Sequence, residues 1–197
     1  MYIFGHLGLG AVIGDAISKE PSSKVPWSRS KRAELFLFLM IGCLLPDLID
    51  KPLHFLSVKI NAETIFFAGD RSIAHTVVIT AIFFGFSIST GSLRLKMLAI
   101  GVFSHLLLDV VGDTSHWIWF RTNAYPTPPF YWSSPKLQAY FWPFVTQDFP
   151  SSSQVSVTDY WRGLLSPPLI AWEVVGAAFL ARKALALSRS RQLEGPR

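Results

Sequence analysis

The run SHLLLDVVGD, Ser104–Asp113, places His105, Asp109 and Asp113 four residues apart in an apolar stretch. A helix turns about 100° per residue, so the three side chains share one face. An ionised carboxylate in hydrocarbon costs at least about 2.5–3.5 kcal/mol, so the stripe needs a partner. A divalent metal ion would serve, because it neutralises carboxylates and binds neutral imidazole. The chain offers three further places for ligands: His6, the pair Asp47 and Asp50 in PDLID, and His75 in DRSIAHT. Three His and three Asp give up to six ligands, enough for one or two ions. Zinc suits this set best, and manganese or iron would accept it. Asp47 and Asp50 stand at i, i+3, and His105 and Asp109 at i, i+4, so each pair can chelate from one helix face. A metal ion there would lower the pKa of bound water toward about 7 and create a hydrolytic nucleophile. The sequence has no HExxH, which excludes a zincin-type protease. The single Cys43 excludes an intrachain disulfide and a cysteine-rich metal site.

Each residue alone has a plainer reading. His6 could be interfacial, PDLID a helix-ending turn with solvated carboxylates, and His75 an ordinary first-turn histidine. Asp113 and His116 continue the stripe toward the interface, where water can solvate them. His54 reads as a loop residue. Asp15 and Glu173 each interrupt an apolar segment and receive no chemistry. Arg71, one turn before His75, could grip an anionic substrate such as a phosphate through bidentate hydrogen bonds. Its plainer role is counter-ion to Asp70 or to a buried aspartate.

The elements that must position these residues are membrane helices. The chain has 197 residues, 50% hydrophobic, 14% aromatic and only 16% charged, where soluble domains average about 25% charged. The mean hydropathy is +0.36. The net charge of +5 is not gathered in one block, which argues against a nucleic-acid partner. Five apolar segments predict five helices: Tyr2–Ile17, Ala33–Ile49, Ile73–Thr90, Leu95–Trp117 and Gly163–Ala181. Each approaches the roughly 20 residues of a spanning helix, the first least so. The expected fold is an all-α polytopic bundle, a single domain over 1–185 with a disordered tail over 186–197. The N-terminus lacks the basic start and the cleavage site of a signal peptide, so the first segment reads as retained.

Loop charge predicts the orientation. Placing the first loop, the third loop and the tail inside puts twelve basic residues inside and six outside, giving N-terminus out and C-terminus in. His6, Asp47 and Asp50, His75, and His105 with Asp109 then converge from four helices on the outer leaflet. They still converge if the whole orientation is inverted. The aromatic fourth loop, 118–162, covers the same face, as a lid or as an anchoring belt.

These elements, in order, resemble the YdjM-like family of bacterial and archaeal membrane-bound metal-dependent hydrolases. The likeness rests on an early His, LLPDLID, DRSIAHT, SHLLLDVVGD and the later FWPF, Phe141–Phe144, and spans residues 1 to about 145. It departs from the family pattern at Asp70, where a histidine often precedes the arginine, and in the P-D-x-x-D spacing. The resemblance implies a hydrolase whose polar positions fall on His6, Asp47, Asp50, Arg71, His75, His105 and Asp109. The resulting expectation is a metal-dependent hydrolase of a membrane lipid or lipid-linked phosphoester. Its ligands would be His6, Asp47, Asp50, His75, His105 and Asp109, with Arg71 and Asp50 in catalysis. The partners would be the bilayer and a lipid substrate. The alternatives are a metal- or proton-handling transporter and a scaffold stapled by a structural metal. A transporter should carry polar residues through the inner halves of its helices, which here are apolar, as in LFLFLMIG and IFFGFS.

Overall fold

The computed structural model describes residues 3–18, 28–60, 73–122 and 165–193. These form five α-helices and one 3-10 turn: α1 (Ile3–Ser18), α2 (Arg29–Lys59), the turn Ile73–His75, α3 (Val77–Thr90), α4 (Leu93–Thr122) and α5 (Pro167–Leu193). The aromatic segment 123–164, Asp70 and Arg71 lie outside the described residues.

Helix ends follow from local chemistry. The Ser28 hydroxyl accepts the Lys31 N–H at 3.2 Å and caps α2. The third segment, expected to be helical from Ile73, opens instead as the 3-10 turn. Thr76 takes an extended backbone (φ −103°, ψ 151°) as N-cap of α3, accepts from Ile79 N at 3.4 Å and donates to Ile73 O at 2.9 Å. This cap leaves His75 outside the helix proper. Gly91, at φ 63°, ends α3 in the left-handed region that favours glycine. The Ser92 hydroxyl accepts from Leu95 N at 3.4 Å to start α4. So short a link makes α3 and α4 antiparallel neighbours.

Two other helices outrun their apolar runs. The α2 helix continues through Pro46 and Pro52. A proline removes one helical N–H and crowds the carbonyl four residues back, a defect that neighbouring helices can repair. The α5 helix reaches Leu193 and takes in most of the tail expected to be disordered, because ARKALALSRSRQL is rich in strong helix formers.

The most extensive packing is α2 against α4, followed by α1 against α5. Both pairs meet through glycines. A Cβ on Gly42 would lie 3.0 Å from Gly101 Cα, and one on Gly8 would lie 2.8 Å from the Gly176 carbonyl carbon. Only hydrogen at these positions lets the backbones approach this closely. An ion pair also links each pair of helices, Glu34 to Arg94 in the first and Asp15 to Lys183 in the second. Leu35, Leu39 and Met97 form an apolar core near the Glu34–Arg94 end. Farther along the bundle the interior turns polar, with His6, Asp50, His75, Thr76, His105 and Asp109 all buried. Outward-facing side chains are large and apolar, among them Leu37, Ile82, Phe86, Phe103, Leu107 and Val174. A polar interior inside an apolar coat suits a lipid solvent.

Among the described residues, α4 is long and apolar enough to cross a membrane over Leu93–Ser115, while Ile3–Ile17 and Val77–Thr90 are shorter apolar helices. The other two expected spans have the length but carry polar residues: Asp47, Asp50 and Lys51 in α2, and Glu173, Arg182 and Lys183 in α5.

Candidate metal centre

His75 is the best-determined side chain of the site. The Asp50 carboxylate, fully buried, accepts three hydrogen bonds from the 3-10 turn. They come from Ala74 N at 3.1 Å, His75 N at 3.2 Å and His75 Nδ1 at 2.7 Å. A carboxylate only accepts, so Nδ1 carries the proton and Nε2 is left with a lone pair. His105 follows the same logic. Its Nδ1 donates to Cys43 O at 2.7 Å, and a carbonyl also only accepts. That carbonyl belongs to α2 next to Gly42, whose helical bond Pro46 removes.

With both rings neutral, two Nε2 lone pairs face each other, 3.1 Å apart. Such a pair repels unless a proton or a metal ion lies between. Carboxylate oxygens complete the surround. Asp47 Oδ1 is 3.5 Å from His75 Nε2, and Asp109 Oδ2 is 3.5 Å from His75 Nε2 and 3.6 Å from His105 Nε2. Asp109 Oδ1 lies 3.4 Å from His6 Nε2. The His6 ring stacks on His105, centroids 3.8 Å apart. It is buried, and among the described residues neither nitrogen has a hydrogen-bond partner of ordinary geometry, Nε2 having only the Asp109 carboxylate nearby.

This donor set fits a metal ion. Ligands held 2.0–2.2 Å from a tetrahedral ion stand about 3.3–3.6 Å apart, close to the separations observed. The groups His6–Asp47–His105 and His75–His105–Asp109 each bring their ligand atoms within 4.8 Å of one another. His75 of the 3-10 turn and His105 of α4 each also give the other ring nitrogen to a fixed acceptor, as metal-bound imidazoles do.

The structure thus gathers His6, Asp47, His75, His105 and Asp109. Asp50, expected as a ligand, turns Oδ1 to Ala74 N and Oδ2 to His75 N and Nδ1, and supports the cluster from behind. Asp113 lies one turn beyond Asp109 and is half-buried. Two side chains stand out that the sequence reading passed over. Lys51 Nζ pairs with Asp47 Oδ2 at 2.7 Å, and Asp47, at 15% exposure, is the most exposed residue of the cluster. Its spacing of four from Asp47 was a usable signal. Glu173 reaches from α5 to the start of α1, a contact across 168 residues that no local pattern announces.

No curated sequence and no solved structure matches the chain. The family model of the YdjM inner membrane protein matches it over residues 1–190, a span that holds every residue of the cluster, and the chain belongs to that family.

Proposed function

We propose that this chain is a polytopic, membrane-embedded, metal-dependent hydrolase of a lipid or lipid-linked phosphoester. The observation that supports it most is the pair of facing Nε2 lone pairs flanked by Asp47 and Asp109 in an otherwise apolar bundle. His75, His105, Asp47 and Asp109, with His6 beside them, would hold a divalent ion, zinc first. The ion would supply an activated water and charge stabilisation at the scissile group. The chain's own residues do the rest. Asp50 and the Cys43 carbonyl hold the two imidazoles in the tautomer that binds metal. The Asp47 side, the most exposed, is where a substrate enters. Lys51, half-exposed beside Asp47, offers a cation for a phosphate and supplies there the role that the sequence assigns to Arg71.

The partial exposure of Asp47 leaves the cluster approachable from one side, which favours catalysis over a stapling role. The apolar core of Leu35, Leu39 and Met97 at the other end of α2 and α4 favours a one-sided site over a through-path for a transported ion. The purified chain should release a water-soluble phosphate product from phospholipid in mixed micelles, stop on chelation and recover with zinc or manganese. Lys51→Met should keep its metal and raise KM by about 10–100-fold, the worth of a hydrogen bond to a charged group. Metal-loaded protein that hydrolyses no lipid phosphoester would leave the transporter reading in its place.

Loop charge supports an orientation with the site on the extracytoplasmic side of the inner membrane. In intact cells, cysteines placed at Ser152 and Ser190 should label with an impermeant reagent at 152 only. Labelling at 190 only would invert the protein and leave the cluster intact.

A further inference from the structure

The α5 helix contributes no ligand, yet it carries a carboxylate in an apolar stretch. Both Glu173 oxygens are committed to the opposite helix: Oε2 accepts from Phe4 N at 3.0 Å and Oε1 from Gly5 N at 2.8 Å. These are first-turn N–H groups of α1, which have no partner within their own helix. They also form the positive end of the helix dipole, where a carboxylate is most favourable. The next residue is His6. A Cβ on Gly176, one turn along α5, would lie 2.7 Å from Gly5 Cα, so the backbones are in close contact at this turn. The neighbouring Trp172 donates its Nε1 proton to Ser115 Oγ on α4 at 3.4 Å. Adjacent residues of α5 thus tie the start of α1 to the outer half of α4, the helix that bears His105 and Asp109.

We infer that Glu173 is a positioning residue for the metal centre: by capping α1 from α5 it sets the height and rotation of the first turn, so that the His6 ring meets Asp109. The inference rests on the metal-binding reading and adds to it a residue that touches no ligand atom. Among the described residues His6 has no hydrogen bond that meets ordinary geometry, only the 3.4 Å approach of Nε2 to Asp109 Oδ1. Its placement depends on the α1 backbone and on stacking against His105. Without the cap, Phe4 and Gly5 N–H need water or a 3-10 distortion of the turn, and either would move His6.

The test is a cobalt(II) titration of the full chain in detergent, read by visible absorption, on wild type, Glu173→Ala, His6→Ala and the double variant. Glu173→Ala should weaken cobalt binding by about 10–100-fold, as loss of an outer support does, and shift the spectrum in the same direction as His6→Ala. In the His6→Ala background, removing Glu173 should cost no more than about twofold, because residues acting through one contact are not additive. Lys183→Ala, which breaks the α1–α5 ion pair at the far end, should leave the spectrum unchanged. Glu173→Gln keeps one acceptor oxygen and should fall between wild type and Glu173→Ala, which serves if the alanine variant does not fold. Wild-type spectra and affinity in folded Glu173→Ala or Glu173→Gln would overturn the inference, as would full additivity with His6→Ala. If His6→Ala binds cobalt as wild type does, the inference falls while a four-residue metal site stands. If wild type binds no cobalt, the metal reading itself falls.

Discussion

Replacing His105 or Asp109 with alanine should strip the metal and abolish hydrolysis together, while Asp113→Ala keeps most of its metal and some activity. His105 Nε2 faces His75 Nε2 at 3.1 Å, and Asp109 sends one oxygen toward His75 and His105 and the other toward His6. Either removal breaks the centre of the cluster. The loss in affinity should exceed the about 10–100-fold typical of an outer-shell change. Both variants should still insert, because deleting a polar group lowers the cost of entering the bilayer. Metal content of the purified variants by mass spectrometry is the measurement. Full metal in Asp109→Ala with loss in Asp113→Ala would mean that the stripe binds one turn farther out. Full metal in all three would reduce it to a polar helix contact.

The same stripe shows what a sequence can carry. Spacing of four on one helix is a local property, so His105 and Asp109 could be paired without any structure. The convergence of His6, Asp47, His75 and His105 was legible too, because alternating helix direction places all four at one level of the bundle. What a local pattern cannot specify is the facing partner. At i, i+3, Asp47 and Asp50 look equivalent on α2. They differ because Asp50 lies under the Ile73–His75 turn, whose N–H groups need an acceptor, while Asp47 meets the Nε2 side of His75. The short turn itself was hidden by an apolar run that reads as helix from Ile73, and only the Thr76 cap shows where α3 begins. Glu173 looked like an interruption for the same reason, since its partners are backbone groups at the far end of the chain. Arg71 and FWPF lie outside the described residues.

Asp50 offers the sharpest separation between a ligand and its support. If Asp50 were a ligand, Asp50→Ala and Asp50→Asn would both delete one metal bond, and the two would lose metal about equally. Among the described residues the carboxylate has three donors to satisfy, Ala74 N, His75 N and His75 Nδ1. Alanine orphans all three in a buried site at about 1–3 kcal/mol each, a large share of the 5–15 kcal/mol that holds a typical protein folded. Asparagine is milder. With its oxygen placed at Oδ2 it still accepts from His75 N and Nδ1, so the metal-binding tautomer survives. Its amide group then meets Ala74 N–H, which loses its acceptor. The expected order in thermal stability is wild type, then Asp50→Asn lower by about 1–3 kcal/mol, then Asp50→Ala far below. Zinc affinity, measured by chelator competition, should follow the same order. Asp50→Asn should be about 10–100-fold weaker than wild type, because a neutral amide no longer raises the basicity of the His75 ring. Equal metal loss in the two variants, with wild-type melting temperatures in both, would make Asp50 a ligand. It would also mean that the turn bearing His75 is held by something other than this carboxylate.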